Sequence, residues 1–437
     1  MIELNTAADA IAYIHGRHKW KKTPSFDRIN ALLDRLGHPE RASKYVHVTG
    51  TNGKGSTSKM IAQLLRAAGL TVGMFTSPFI LQFNERVQGN DGNIPDDILL
   101  DIMRRIAPIT EALDEELPQG GPTEFETLTA MMFVYFAEHP VDVVVLEVGI
   151  GGTWDTTEVI PDKLVSVITT VGLDHMQVLG NTLAEIATQK SGIIARQRPV
   201  VTGRLPEEAQ QVVTNVANAL GAPLYRLGDE FEAEMLPSQT SWGETFDFAG
   251  VHEFKDVFVD LMGNYQIDNA GVALEAASLV VDELGVPLTA EMVAKALQTV
   301  TWPVRFERVS EQPLTVLDGA HNQHGVDALA ETLRTRFADK QIHVIFGALA
   351  DKNYSAMLHT LADLPNVDLH VTHFQNPGAR VALDPTEATR QVTGHDVTVH
   401  ESWREAYRTI ADAMGPDDMI LFTGSLYFVS EVRMGWA

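Results

Sequence analysis

The 437 residues exceed what one hydrophobic core accommodates, so two domains are expected. A formal charge of −25 argues against nucleic acid as a partner, and the absence of cysteine excludes disulfides, thiolate metal sites and cysteine nucleophiles. No apolar run approaches the roughly 20 residues that span a bilayer and the N-terminus carries no signal pattern, so a cytoplasmic chain without a membrane partner is expected.

Along the chain, the first strong signal is a strand over 45–48 that runs into Gly50, Thr51, Asn52, Gly53, Lys54, Gly55 and Ser56, followed by a helix over 57–68. Glycines let the backbone turn its amides inward, Lys54 adds a point charge and the helix aims its positive end at the same spot. The group to be bound is therefore a nucleoside triphosphate. The usual pattern has glycine where Val48 stands and a hydroxyl where Gly55 stands, with Ser56 one position late, so a second magnesium ligand is to be sought elsewhere.

Further strands are expected at 72–75, 142–147, 164–169 and 199–202, with helices at 124–138 and 181–195 between them. This alternation is that of an α/β fold with a mainly parallel sheet covered by helices. Ligands of such sheets bind at the carboxyl ends of the strands, where Ser77, Glu147, Asp174 and His175 fall. A second α/β series, with strands near 314–317, 342–346, 367–371, 397–400 and 419–423, begins after a hinge at Thr301 to Arg305. Domains over 1–300 and 301–437 follow.

Taken singly, several residues have two readings. Glu147 ends a run of Val-Val-Val-Leu and must meet a cation, a metal or solvent. His175 reads as an acid/base group or a hydrogen-bonded cleft residue, and Lys190 reads as a surface lysine. Arg305 fits an interdomain salt bridge, Asp318 a helix N-cap, and Ser425 a structural Gly-Ser turn. Phe79 and Phe83 either offer flat surfaces to an aromatic ring or belong to a core, and Phe125 reads as a packed core aromatic.

Taken together, the ordered motifs resemble the folylpolyglutamate synthase and dihydrofolate synthase family, the folate branch of the Mur-type ATP-dependent amide ligases. They are Gly50-Thr-Asn-Gly-Lys-Gly-Ser56, Thr76-Ser-Pro78, Phe83-Asn-Glu-Arg-Val87, Glu147-Val-Gly-Ile-Gly-Gly152 and Leu173-Asp-His175. Lys190-Ser-Gly-Ile193, Gly263-Asn-Tyr-Gln-Ile-Asp-Asn269, Trp302-Pro-Val-Arg305, Asp318-Gly-Ala-His-Asn322 and Thr423-Gly-Ser-Leu-Tyr427 continue the series over nearly the whole chain.

The resemblance implies an N-terminal P-loop ATPase domain that also binds folate and a smaller Rossmann-like C-terminal domain for the glutamate ligase step. It implies glutamate addition to a reduced folate through an acyl phosphate, with dihydropteroate as the alternative acceptor. ATP is the co-substrate, and two magnesium ions are expected on Ser77, Glu147, His175 and a carbamylated Lys190. Lys54, His175, Lys190 and His321 carry the chemistry by this resemblance, and Asn269, Arg305 and Asp318 join the P-loop on ATP. Bridging of the domains by ATP, with closure over the acyl phosphate, is implied as well. Substrate contacts fall on Phe79, Asp155, His321, Asn322 and Ser425.

Two positions depart from the family wording, Thr153 in place of Arg and Glu158 in place of Asn, which puts any substrate contact there in doubt. Tyr265 stands where a histidine often precedes the glutamine. A peptidoglycan-type ligase would carry a nucleotide-sugar domain before the P-loop, where only about 45 residues stand here. A scaffold protein would have an eroded second site. No heptad run suggests self-association, so a monomer is expected.

Overall fold

The computed structural model describes residues 3–18, 25–237, 240–375 and 380–436. The chain forms two compact units. The first comprises Met1–Glu234, Asp247–Val257 and Asp268–Gln298, and the second Met235–Phe246, Phe258–Ile267 and Thr299–Ala437. Two short segments that precede residue 300 thus pack with the second unit.

Eight strands build the first sheet: β1 (Tyr45–Thr49), β2 (Val72–Phe75), β3 (Val87–Gly89), β4 (Gly92–Asn93), β5 (Val143–Glu147), β6 (Lys163–Ile168), β7 (Val200–Thr202) and β8 (Leu224–Arg226). Their spatial order is β4-β3-β2-β5-β1-β6-β7-β8. From β2 to β8 the pairs are parallel, and β3 and β4 add an antiparallel edge. Every residue of β1, β2, β5 and β6 is buried, as expected of strands covered on both faces. The β-branched run Val143-Val-Val therefore lies at the centre of the sheet, with Glu147 at its carboxyl end in register with Val48 of β1.

The helix Glu124–Glu138 begins in a capping box, Thr123 N–H donating to Glu126 Oε2 at 2.7 Å and Glu126 N–H to Thr123 Oγ1 at 3.3 Å. It is buried along most of its length and lays the Phe136 ring directly on Gly73, where a Cβ would overlap the ring. The expected helix over 57–68 starts three residues earlier, at Lys54, because Gly53 takes the left-handed conformation (φ 83°) and turns the chain at once. The 21-residue helix Asp96–Glu116 has no counterpart among the sequence expectations. Neither does a three-stranded sheet of β9 (Glu232–Leu236), β10 (Glu244–Ala249) and β11 (Glu253–Val259), in the order β11-β10-β9, within each strand of which the chain passes between units.

In the second unit, β12 (Glu307–Glu311), β13 (Leu314–Leu317), β14 (Ile342–Phe346), β15 (Val367–Thr372), β16 (Val397–His400) and β17 (Met419–Thr423) form a sheet ordered β12-β13-β17-β14-β15-β16. All its pairs are parallel except β12 with β13, an edge strand absent from the sequence reading. One face carries Val344, Phe346, Leu369, Val371 and Leu421 into a core shared with Leu329 and Leu358. Among the described residues no helix is long and apolar enough to cross a membrane.

Candidate active site

The glycine-rich loop sits between β1 and the helix Lys54–Ala67, and its shape is held from the neighbouring end of β6. Thr51 N–H donates to Thr170 O at 2.9 Å, Asn52 N–H to Thr170 Oγ1 at 2.9 Å, and the Thr169 hydroxyl to Asn52 O at 2.6 Å. A Cβ on Gly50 would overlap Thr169 Oγ1, and one on Gly53 would overlap the Asn269 amide oxygen. Glycine is thus required at both positions by close approach as well as by turn geometry. Asn269, placed on ATP by resemblance, is brought against the loop. Lys54 lies back along it, Nζ donating to Gly50 O at 3.0 Å. Thr169 and Thr170 were missed as loop supports; their signal was two hydroxyl residues at the end of the strand paired with β1.

Ser77, just after β2, and Glu147, ending β5, meet across adjacent strands: Ser77 N–H donates to Glu147 Oε2 at 3.2 Å. Glu147 is 4% exposed. Lys190 is 2% exposed in the last turn of the helix Leu183–Ser191, so it is no surface lysine. Burial and then the positive charge of Lys54 push its amine well below the ordinary lysine value, with Asp174 acting in the opposite direction. Lys54, Lys190 and Asp174 therefore share one electrostatic neighbourhood. His175 follows on a left-handed turn (φ 49°), its side chain 45% exposed and its Nε2 4.0 Å from Asp174 Oδ2.

Among the described residues no group of three His, Asp, Glu or Cys side chains converges on a metal position. The expected set does not depend on such a group. It combines a serine hydroxyl, a buried carboxylate and a buried lysine held toward its neutral form, and hydroxyl and carboxylate oxygens suit a hard cation such as magnesium. The Ser77 hydroxyl and the Glu147 carboxylate are donors of the kind that fits the ion.

In the second unit, the segment before β12 is bent sharply, with Val304 at φ 53° and Phe306 at φ 46° on either side of Arg305. Positive φ is uncommon for such residues and persists only where the surroundings enforce it. Asp318, 4% exposed, supplies the enforcement: Oδ2 accepts from Phe306 N–H at 3.0 Å and Oδ1 from Ala320 N–H at 2.9 Å, while Gly319 N–H donates to Val304 O at 2.8 Å. Burial raises the Asp318 carboxyl, and Arg305 opposes the shift. The N-cap anticipated for Asp318 belongs instead to Asn322, whose Oδ1 accepts from Gly325 N–H at 2.8 Å. Ser425 caps the helix Leu426–Met434 through Tyr427 N–H at 3.2 Å. The His321 ring meets Gly319 O through Nδ1 at 2.8 Å.

Several expected substrate residues turn inward. Asp155 is 6% exposed, and its carboxylate accepts from Ile150 N–H at 2.9 Å, Thr157 N–H at 3.0 Å and the Thr157 hydroxyl at 2.6 Å. It shapes its own loop. Phe79 and Phe83 pack at 5.9 Å under the Arg86 guanidinium, Phe83 largely buried and Phe79 partly so. Thr153 and Glu158 also find protein partners, Gln189 and Lys163 respectively.

A P-loop, a serine–carboxylate pair on the adjoining strands and a second α/β unit define an ATP-dependent amide ligase of the Mur type. The Mur ligase middle domain matches residues 48–277, and the Mur ligase glutamate ligase domain matches residues 304–426. The dihydrofolate synthase/folylpolyglutamate synthase of Bacillus subtilis (strain 168) is 41% identical over 434 residues, covering 97% of this chain and 98% of the relative. The folylpolyglutamate synthase of Lacticaseibacillus casei is 40% identical over 427 residues, covering 97% of each. A folylpolyglutamate synthase–AMPPCP–folate complex superposes with a TM-score of 0.87 at 37% identity, over 98% of this chain and 99% of that one. The Mycobacterium tuberculosis folylpolyglutamate synthase complexed with ADP gives 0.89 at 30% identity, over 99% of each. The chain belongs to the folylpolyglutamate synthase/dihydrofolate synthase family.

Proposed function

We propose that this enzyme adds L-glutamate to the terminal glutamyl carboxylate of a reduced folate, using ATP and releasing ADP and phosphate. The observation that carries the reading is the Ser77–Glu147 contact at the carboxyl ends of β2 and β5, beside the strand that opens into the P-loop. A carboxylate is a poor acylating agent. Transfer of the γ-phosphoryl group to the folate carboxylate makes an acyl phosphate, and the glutamate amine then attacks its carbonyl and expels phosphate.

Phosphoryl transfer of this kind is mainly positioning and charge neutralisation. The P-loop, with Ser56 and the positive end of its helix, holds the triphosphate, and Lys54 swings from its carbonyl partners to the β- and γ-phosphates. Asn269 bounds the loop at Gly53, and Arg305 and Asp318 are assigned to the nucleotide from the second unit. Ser77, Glu147, His175 and Lys190, the last as its carbamate, are the residues that would hold magnesium. When bound, the ion supplies charge to the transferring phosphoryl group. Carbamate formation needs the neutral amine, which the burial of Lys190 beside Lys54 favours.

His321, whose Nδ1 donates to Gly319 O, presents Nε2 as the acceptor for a proton from the glutamate ammonium. Asn322 and Ser425 are placed on glutamate, and Phe79 on the folate ring. A cytoplasmic monomer is the reading of location and assembly.

The name of the Bacillus subtilis relative favours a second reading, in which dihydropteroate is also an acceptor. Glutamate-dependent ADP formation decides between them. Turnover with a reduced folate alone is expected; turnover with dihydropteroate would make the enzyme bifunctional, and failure with both would overturn the folate reading.

A further inference from the structure

Thr153 directly, and Glu158 through Lys163, make contacts around the end of one helix. Lys190 lies in the last turn of its helix, where backbone carbonyls run out of helical partners. Thr153 reaches one of them: its N–H and hydroxyl both donate to Gln189 O, at 2.8 and 3.1 Å. The fit is close enough that a Cβ on Gly192 would stand 2.6 Å from Thr153 N, and one on Gly152 would stand 2.6 Å from Gln189 O.

On the other side, Ile193 O accepts from Lys163 Nζ at 2.9 Å and from the Ser166 hydroxyl at 2.8 Å. Lys163 is 4% exposed, and its charge is neutralised by Glu158, both carboxylate oxygens lying 2.6 Å from Nζ. The three donors of the ammonium are then all used. Glu158 also stands 3.5 Å from His47 Nδ1, and His47 Nε2 meets Thr157 Oγ1 at 2.8 Å. His47 belongs to β1, three residues before Gly50. One largely buried polar network, Glu158 being its partly exposed member, thus ties the strand that feeds the P-loop to the carbonyls around Lys190.

We infer that Thr153 and the Lys163–Glu158 pair are positioning residues that clamp the helix end carrying Lys190 and thereby set its place relative to the P-loop. On this inference Thr153 and Glu158 serve the placement of that lysine. The inference rests on the ligase reading above. Removing Glu158 alone would leave the buried Lys163 ammonium uncompensated, so the informative variant removes both.

The test compares the full chain with Lys163→Met/Glu158→Gln, with Lys163→Arg and with Thr153→Val. Three quantities are read: the thermal midpoint, the magnesium concentration for half-maximal binding of a non-hydrolysable ATP analogue, and the kcat and KM for glutamate-dependent ADP formation. For the double variant, a cooperative melt, about tenfold more magnesium for analogue binding and a similar fall in kcat are expected, with the KM for glutamate unchanged. Lys163→Arg, which still donates to Glu158 and Ile193 O, should recover most of both losses, and Thr153→Val should fall between. A lower midpoint with magnesium dependence and kcat within twofold of wild type would reduce the network to a structural brace and overturn the inference. Should the wild type turn over no folate at all, the ligase reading fails while magnesium-dependent analogue binding still decides the clamp.

Discussion

The two units use their polar residues differently. In the first, Glu147 and Lys190 are ionisable side chains buried at strand and helix ends, Glu147 meeting the Ser77 amide and Lys190 held toward its neutral form by burial and a second lysine. In the second, Asn322, Ser425 and Asp318 each accept hydrogen bonds from nearby backbone. A buried charge is costly without a ligand or partner, so its presence argues for function; a cap stabilises whether or not substrate arrives. Burial at Glu147 and Lys190 therefore points to a site more strongly than the capping roles of Asn322 and Ser425 do.

Mutations can break this contrast. The largest effect is expected for Lys54→Ala, which removes the charge proposed for the transferring phosphoryl group: kcat should fall about 10²–10³-fold, or about 3–4 kcal/mol, with little change in thermal midpoint. Steady-state ADP release measures it, and a loss below tenfold would remove Lys54 from the chemistry. Glu147→Gln keeps an acceptor for Ser77 N–H but loses the charge. Its expected signature is a tenfold to hundredfold loss of activity, partly recovered by excess magnesium. No response to magnesium would take Glu147 out of the ion's shell.

Acid sharpens the comparison, because each unit contains a histidine held below its ordinary range. His47 in the first and His370 in the second are both lowered from 6.5 to about 4, chiefly by burial. Around His370, His400 and His343 lower the value further and Asp368 opposes them. Within that window the unfolded chain binds protons that the folded chain refuses. Stability is undiminished above about pH 6.5 and falls as pH drops toward 4, by at most about 1.4 kcal/mol per pH unit for each group. Urea titrations at pH 7 and pH 5 should show the fall, and His370→Asn should lessen it; an unchanged pH slope in that variant would clear His370 of the effect.

The smallest effect separates capping from binding at Asn322. Asn322→Ala should cost about 1 kcal/mol in denaturant unfolding, whereas Asn322→Ser, which can still cap, should cost little. If the residue also contacts glutamate, as proposed, both variants raise the KM for glutamate. A KM that rises only with the stability loss would leave Asn322 a cap alone.

Much of the fold was legible because its signals are local. Strands such as Val143–Glu147 are runs of mostly β-branched residues bounded by polar ones, and the P-loop is written in closely spaced glycines around one lysine. The long helix Asp96–Glu116 went unread, and β9 to β11 lie in the stretch where the chain alternates between units. At the site, the P-loop residues, Ser77 and Glu147 could be found from their places at strand ends. The inward turn of Asp155 could not, because its partners are backbone amides whose direction depends on the loop's own path.

The sequence by itself determined the α/β order, the position of the phosphate-binding loop and, through ordered motifs, the family, since each is encoded in neighbouring residues. Only the tertiary structure decided the state of Lys190. By its neighbours it reads as a surface lysine, and it is buried where β6 and the loop at Gly151 to Thr153, distant in the chain, close around the end of its helix. Burial is a property of what packs against a residue, and that is set by contacts that no local pattern contains.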